Sequence, residues 1–157
     1  MESQGQILKA AARRAQEAGR ESVGLWVAAA KLFKEEQNPA MIAYCSEKAA
    51  MLISNNNLRA KKSFAIAARN FFEVKNFSKA AICWEKTAQL EEQLGLKKEA
   101  AKAWEFAALC YSEMSNFKEA GMAQKKAAHL YWQLNSRRKA KRALHLAIIN
   151  LKKVKNI

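Results

Sequence analysis

The residue types that could do chemistry are few in this sequence, and their spacing does not bring them together. The two histidines, His129 and His145, fall on successive predicted helices, and neither has an acid or a cysteine at ligand spacing. A metal site needs three or four converging ligands, so we expect none here. All 14 acidic residues are glutamates, and neighbours such as Glu91 and Glu92 would point about 100° apart on a helix. The sequence therefore predicts no catalytic residue, no cofactor and a protein that is not an enzyme.

The cysteines and the first residues of the chain indicate a cellular compartment. Cys45, Cys83 and Cys110 lie in apolar helical stretches without CxxC spacing, which favours buried free thiols in a reducing environment. Residues 1–9 are too polar for a signal peptide, and no apolar run reaches the roughly 18 residues of a membrane span. We expect a cytoplasmic protein.

The sequence matches itself when it is shifted by forty residues. The aligned pairs are Ala67/Ala107, Ala68/Ala108, Phe71/Tyr111, Asn76/Asn116, Ala80/Ala120 and Ala88/Ala128. An earlier copy around Trp26 aligns with a shift of thirty-eight, and a partial last copy covers residues 144–151. A period of this length is typical of a solenoid in which each repeat is one pair of helices.

The apolar spacing within each copy is that of two helices joined by a short turn. We predict an all-α fold, a right-handed α-solenoid of antiparallel helix pairs with about eight helices and a period of about forty residues. The predicted organisation is one domain over residues 1–157. Its parts are a half-pair 1–20, the pairs 21–57, 58–95 and 96–135, and a final half-pair 136–157.

One repeat position carries large apolar side chains, and we expect them to be buried between helices. These side chains are Trp26, Phe64, Trp104 and Leu144. In the last helix, Ile148 and Leu151 should face the preceding pair together with Leu144. Tyr131 and Trp132 do not fit this register, so we expect them at the surface near the basic end of the chain.

The spacing also resembles the tetratricopeptide repeat family. The pattern reads Phe64, Ala67, Ala68, Phe71, Ala80, Trp84 and then Trp104, Ala107, Ala108, Tyr111, Ala120. Residues 88–101, followed by Ala107, Tyr111 and Asn116-Phe117, look much like the N-terminal half of the soluble NSF attachment proteins (SNAPs). That resemblance covers roughly residues 60–135. It implies an adaptor whose basic concave residues grip an acidic helical bundle. The portion with which those proteins engage their ATPase has no counterpart in this resemblance.

The charge is unevenly distributed along the chain. The net charge is +14, and residues 120–157 carry ten lysines or arginines and no acid. Such a gradient predicts an anionic partner or surface. We expect a partner-binding groove along the first helix of each pair. Its predicted residues are Lys31, Lys34, Lys62, Arg69, Phe72, Lys102, Leu109, Arg142, His145, Ile149 and Lys152, with Glu105 also on the exposed side.

Within this groove Lys62, Lys102 and Arg142 are equivalent by the forty-residue shift and should form a basic ladder. Successive first helices lie roughly 10 Å apart, which suits acidic residues along a helical or extended partner. The leading prediction is therefore a non-catalytic scaffold or adaptor that binds an acidic, helical protein. The alternative is binding to nucleic acid or an anionic membrane through the basic C-terminal quarter. A weak homodimer through the C-terminal helix is a further prediction.

Overall fold

The computed structural model describes residues 1–155, which form eight α-helices and no strand. The helices are α1 Gln4–Glu17, α2 Val23–Glu35, α3 Pro39–Leu52, α4 Asn57–Glu73, α5 Phe77–Gln93, α6 Lys97–Glu113, α7 Phe117–Gln133 and α8 Arg137–Lys155. The prediction of an all-α fold with about eight helices is confirmed.

The chain divides into an N-terminal unit, residues 1–76, and a C-terminal unit, residues 77–157, and each is described by itself. In the N-terminal unit α1 packs on α2, α2 on α3 and α3 on α4. In the C-terminal unit α5 packs on α6, α6 on α7 and α7 on α8. Because the connections are short, consecutive helices form antiparallel hairpins. Packing in sequence order confirms the predicted solenoid class, whereas the single domain and its repeat boundaries stay predictions.

Capping residues determine where several helices begin. The side chains of Ser3, Asn38 and Asn56 each accept a hydrogen bond from the backbone N–H three residues later, at 3.3, 3.2 and 2.9 Å. This bond satisfies a backbone donor that has no partner inside the helix. Pro39 occupies the first turn of α3, where its missing N–H costs nothing. The Asn38-Pro39 step and the polar stretch of residues 54–57 therefore lie at or beside helix starts.

Three-residue turns join the helices of the C-terminal unit. Gly95, Ser115 and Asn135 have φ values of 73°, 59° and 53°, which is the left-handed region. In each turn the N–H of the following residue donates to the carbonyl five residues earlier, at 2.8, 2.8 and 2.9 Å. This is the hydrogen bond of a Schellman motif, which ends a helix and reverses the chain. The turns recur every twenty residues and so fix the forty-residue period.

Alanine and tryptophan dominate the core. Ala107 and Ala108 are 0% and 1% exposed, which allows neighbouring helices a close approach, while Trp26 and Trp104 are 1% and 2% exposed and fill the wider spaces. Phe64 is half-buried. The expectation that Leu144 is buried is wrong, because no helix within the described residues covers its side of α8 and its side chain is 48% exposed.

The thiols are part of the core. Cys45, Cys83 and Cys110 are free and buried, as expected. Burial raises the pKa of Cys45 and Cys110 to about 11, so these thiols stay protonated near neutral pH and pack as small apolar groups. Among the helices of residues 1–155, none combines the length and the apolar character that crossing a membrane requires.

Candidate protein-binding surface

The predicted groove residues of the N-terminal unit lie on α2 and α4. Lys31 and Lys34 on α2 are exposed, as are Lys62 and Arg69 on α4. Phe72 is half-buried. On α4 the step from Lys62 to Arg69 is seven residues, which keeps both cations on one side of the helix. This unit therefore presents cations on each of the two helices for which they were predicted.

In the C-terminal unit the predicted groove residues lie on α6 and α8. Lys102 and Leu109 on α6 are exposed, and Leu109 shows 44% of its side-chain surface. On α8 all four predicted residues are exposed. They are Arg142, His145, Ile149 and Lys152. We call these six exposed residues of α6 and α8 the basic stripe.

Glu105 was expected on the exposed side of α6, and this expectation is wrong. The residue is half-buried, and its carboxylate accepts a hydrogen bond from the Tyr131 hydroxyl at 2.9 Å. Glu105 therefore points towards α7 and brings no negative charge to the basic stripe. Tyr131 was expected at the surface but is only 3% exposed, because this hydrogen bond lets its polar end be buried. Trp132 is exposed, as expected, at 62%.

The large apolar residues of α8 were predicted to face the preceding helix pair, but they are more exposed than expected. Ile148 and Leu151 are 44% and 38% exposed, so they do not form the packed face. The residues of α8 that α7 covers are Ala140, Ala143, Ala147 and Asn150. Leu151 still reaches α7, since a Cβ on Gly121 would lie 2.7 Å from its Cγ. Small residues carry the helix contact because they allow the closest approach.

Two exposed apolar residues next to the predicted cations escaped the sequence reasoning. Ile66, 44% exposed, follows Lys62 by one turn, and Phe106, 47% exposed, follows Lys102 by one turn. Phe106 stacks on Trp84 of α5, with the ring centroids 4.8 Å apart and the planes at 23°. A scan for apolar residues four positions after each ladder cation would have found both.

Cations and exposed apolar side chains occur together on the helices of the C-terminal unit. Helix α8 carries eight lysines or arginines and no acid. On α6, Lys102 is joined by exposed Phe106 and Leu109. Within residues 1–155 no group of three or more potential metal ligands comes together. The arrangement offers charge attraction and apolar contact at the same place.

A protein-family model agrees with these features. The model described as "Soluble NSF attachment protein, SNAP" matches residues 53–157, which are 105 of the 157 residues. The matched range contains all of α4 to α8. No curated protein sequence matches the chain.

Proposed function

This chain belongs to the soluble NSF attachment protein family, and we propose that it is a non-catalytic adaptor that binds an acidic, helical protein partner. The family match supports an adaptor that works by holding other proteins. In the C-terminal unit the proposed binding residues are those of the basic stripe on α6 and α8. In the N-terminal unit they are the exposed cations on α2 and α4.

The observation that carries the proposal is the repeated neighbourhood of a cation and exposed apolar side chains. On α6, Lys102 is followed by Phe106 and Leu109, which are 47% and 44% exposed. On α8, Arg142 is followed by Ile149, which is 37% exposed. The forty-residue shift makes Lys102 equivalent to Arg142 and Leu109 equivalent to Ile149. A partner helix with acidic and apolar residues on one side could satisfy both kinds of contact.

The apolar component favours a protein over a nucleic-acid backbone. Nucleic acid is held mainly by cations that neutralise phosphates. Large exposed side chains such as Phe106 and Leu109 gain nothing from a phosphate, whereas a partner helix would remove them from water. The cations steer the encounter, so we expect the association rate to fall as salt rises.

The test is affinity crosslinking of the tagged chain in its native lysate, followed by mass spectrometry. The decisive variant carries Lys102→Glu and Arg142→Glu, which reverses both ladder cations of the C-terminal unit. Because both side chains are exposed, we expect the thermal midpoint to change little. We expect acidic helical proteins to be captured by the native chain and lost with the double variant.

The matched control carries Arg20→Glu and Lys75→Glu, two exposed positions in the connections after α1 and α4, outside the basic stripe. It changes the net charge by the same amount, so a general charge effect would weaken both variants equally. Capture that survives the double reversal in the basic stripe at low salt would refute the proposal. Capture of nucleic acid, abolished by nuclease, would favour the polyanion alternative.

A further inference from the structure

A second surface of the C-terminal unit lies on a different side of α6 and is built around Trp104. It is an open recess of about 650 Å³ between α5, α6 and α7. Its lining residues are Gln89, Glu92, Gln93, Trp104, Met122, Lys125, Lys126, His129 and Leu130. The Trp104 indole N–H donates to Glu92 at 2.6 Å, and Lys126 Nζ lies 3.9 Å from the centre of its ring system. The recess thus has an apolar floor with a polar and basic rim.

The N-terminal unit contains the equivalent recess around Trp26, with a volume of about 360 Å³. The Trp26 indole N–H donates to Gln16 at 3.2 Å, as Trp104 does to Glu92. Its lining residues are Arg13, Gln16, Glu17, Trp26, Tyr44 and Lys48. In order along the sequence they are the counterparts of Gln89, Glu92, Gln93, Trp104, Met122 and Lys126. The repeat therefore builds the same recess twice.

Sequence differences make the first recess smaller than the second. Tyr44 packs edge-on against Trp26, with ring centroids 5.7 Å apart, and Met122 takes its place in the second recess. Arg13 and Glu17 form an ion pair of 3.1 Å at the rim of the first. Their counterparts in the second are two uncharged glutamines. The larger volume around Trp104 thus follows from side-chain changes at shared positions.

The open recess continues along α7 to a second apolar site. Lys125 and His129 line both the Trp104 recess and an adjoining one of about 320 Å³ that contains Trp132 and Leu144. Met122, Lys125, His129 and Trp132 recur at steps of three, four and three residues, so they share one side of α7. Ten residues of helix make this stripe about 15 Å long. Met122 and Trp132 are 52% and 62% exposed.

We infer that this side of α7 docks a short acidic, amphipathic helix of a partner protein. The charge decides the chemistry of the occupant, because Lys125, Lys126 and Lys141 line the two recesses against one carboxylate, that of Glu92. The partner helix places two apolar side chains about three turns apart, one over Met122 and one over Trp132. Its glutamates or aspartates lie between them, opposite Lys125. The surface is distinct from the basic stripe, so the inference does not depend on the proposed function.

The test uses the whole chain and a synthetic helical peptide labelled with fluorescein. The peptide carries two leucines about three turns apart with glutamates between them. We expect fluorescence anisotropy to show saturable binding at low salt. We expect Lys125→Glu to weaken it about tenfold, and Trp132→Ser by a similar factor, because an exposed tryptophan is a frequent binding hot spot. Both side chains are exposed, so folding should be preserved, which circular dichroism checks.

Two controls separate docking at this site from general charge attraction. Lys75→Glu makes the same charge change at an exposed position in the turn after α4, outside both surfaces, and should leave the peptide affinity within about twofold, well under the tenfold loss at Lys125. A peptide with lysines in place of glutamates should not bind. The inference is overturned if the lysine peptide binds equally well, if Lys75→Glu weakens binding as much as Lys125→Glu does, if Lys125→Glu and Trp132→Ser leave the affinity unchanged, or if no binding occurs at millimolar peptide.

Discussion

The hydroxyl of Tyr131 on α7 donates a hydrogen bond of 2.9 Å to Glu105 Oε2 on α6. Tyr131 is 3% exposed, so this bond satisfies a polar group that would otherwise be buried alone. Burial first, and then the bond and the charge of Glu105, raise the pKa of Tyr131 above its ordinary value. Burial, followed by Glu85, likewise raises the pKa of Tyr111 to about 12. The folded chain therefore keeps both phenols neutral at pH values at which an unfolded chain ionises them.

We predict a loss of stability in alkali that depends on Tyr131. A phenol with a raised pKa in the folded state contributes full stability below the unfolded pKa of about 10, and the contribution falls as pH rises towards the folded pKa. Urea unfolding between pH 8 and pH 11.5 should show this fall. Tyr131→Phe should lose about 1 kcal/mol at pH 8 and then depend less on pH than the native chain. An unchanged alkaline slope in the variant would contradict the assignment.

We predict that Trp104 is the largest single contributor to the stability of the C-terminal unit. Truncation to alanine should cost about 3–5 kcal/mol, because it leaves a cavity between α5, α6 and α7. Trp104→Phe should cost less, about 1–2 kcal/mol, because a phenyl ring still fills most of the space. This variant loses the hydrogen bond from the indole N–H to Glu92, and phenylalanine binds the Lys126 ammonium more weakly than tryptophan does. Urea unfolding followed by circular dichroism measures both. A loss below about 1 kcal/mol for the alanine variant would mean that the register is wrong.

We predict opposite effects of matched substitutions in two equivalent turns. Ser115 has a φ of 59°, which is strained for a residue with a Cβ, so Ser115→Gly should raise the thermal midpoint and stabilise by about 0.5 kcal/mol. Gly95 has a φ of 73°, and Gly95→Ala should destabilise by about 1 kcal/mol. A Cβ on Gly95 would meet nothing within 4 Å, so the comparison isolates the backbone. Thermal unfolding in which both variants shift in the same direction would contradict this account.

The repeat carried most of the fold information in the sequence. The forty-residue shift predicted an all-α fold of about eight helices, and in the structure Gly95, Ser115 and Asn135 mark the same turn at intervals of twenty residues. It failed where a copy lacks a neighbour in the described chain. Leu144 is equivalent to Trp104 but has no helix over it. Equivalence in sequence thus predicts the register of a residue, whereas burial depends on what packs above it.

The candidate site was less predictable than the fold. The exposed cations, such as Lys102 and Arg142, could be placed because opposite faces of a helix follow from its period. Glu105 could not, since its direction depends on a hydrogen bond to Tyr131 on another helix. The recess at Trp104 was also missed, because its opening depends on the size of Met122 in a three-helix environment. Such features depend on how side chains of different helices pack together, and the apolar pattern of one helix does not predict that packing.

We predict that any self-association through α8 is weak and strengthens with salt. Leu144, Ile148 and Val154 are 48%, 44% and 40% exposed, so α8 carries an apolar strip that a second copy could cover. Two facing copies of α8 would also bring eight cations each into the same region, with no acid on either helix to offset them. Salt screens this repulsion and favours the apolar contact, so the dimer fraction should rise between about 0.05 and 0.5 M salt.

Sedimentation velocity across protein concentration measures this self-association, and Ile148→Glu provides the matched disruption at an exposed position. The variant should remain folded and monomeric at every salt concentration. It adds an acid to α8, so a dimer held by charge would instead be strengthened by it. A strict monomer of the native chain at high concentration and high salt would rule out the homodimer. In a monomer the cations of α8 stay available to an acidic partner. Charge complementarity favours binding of such a partner at low salt.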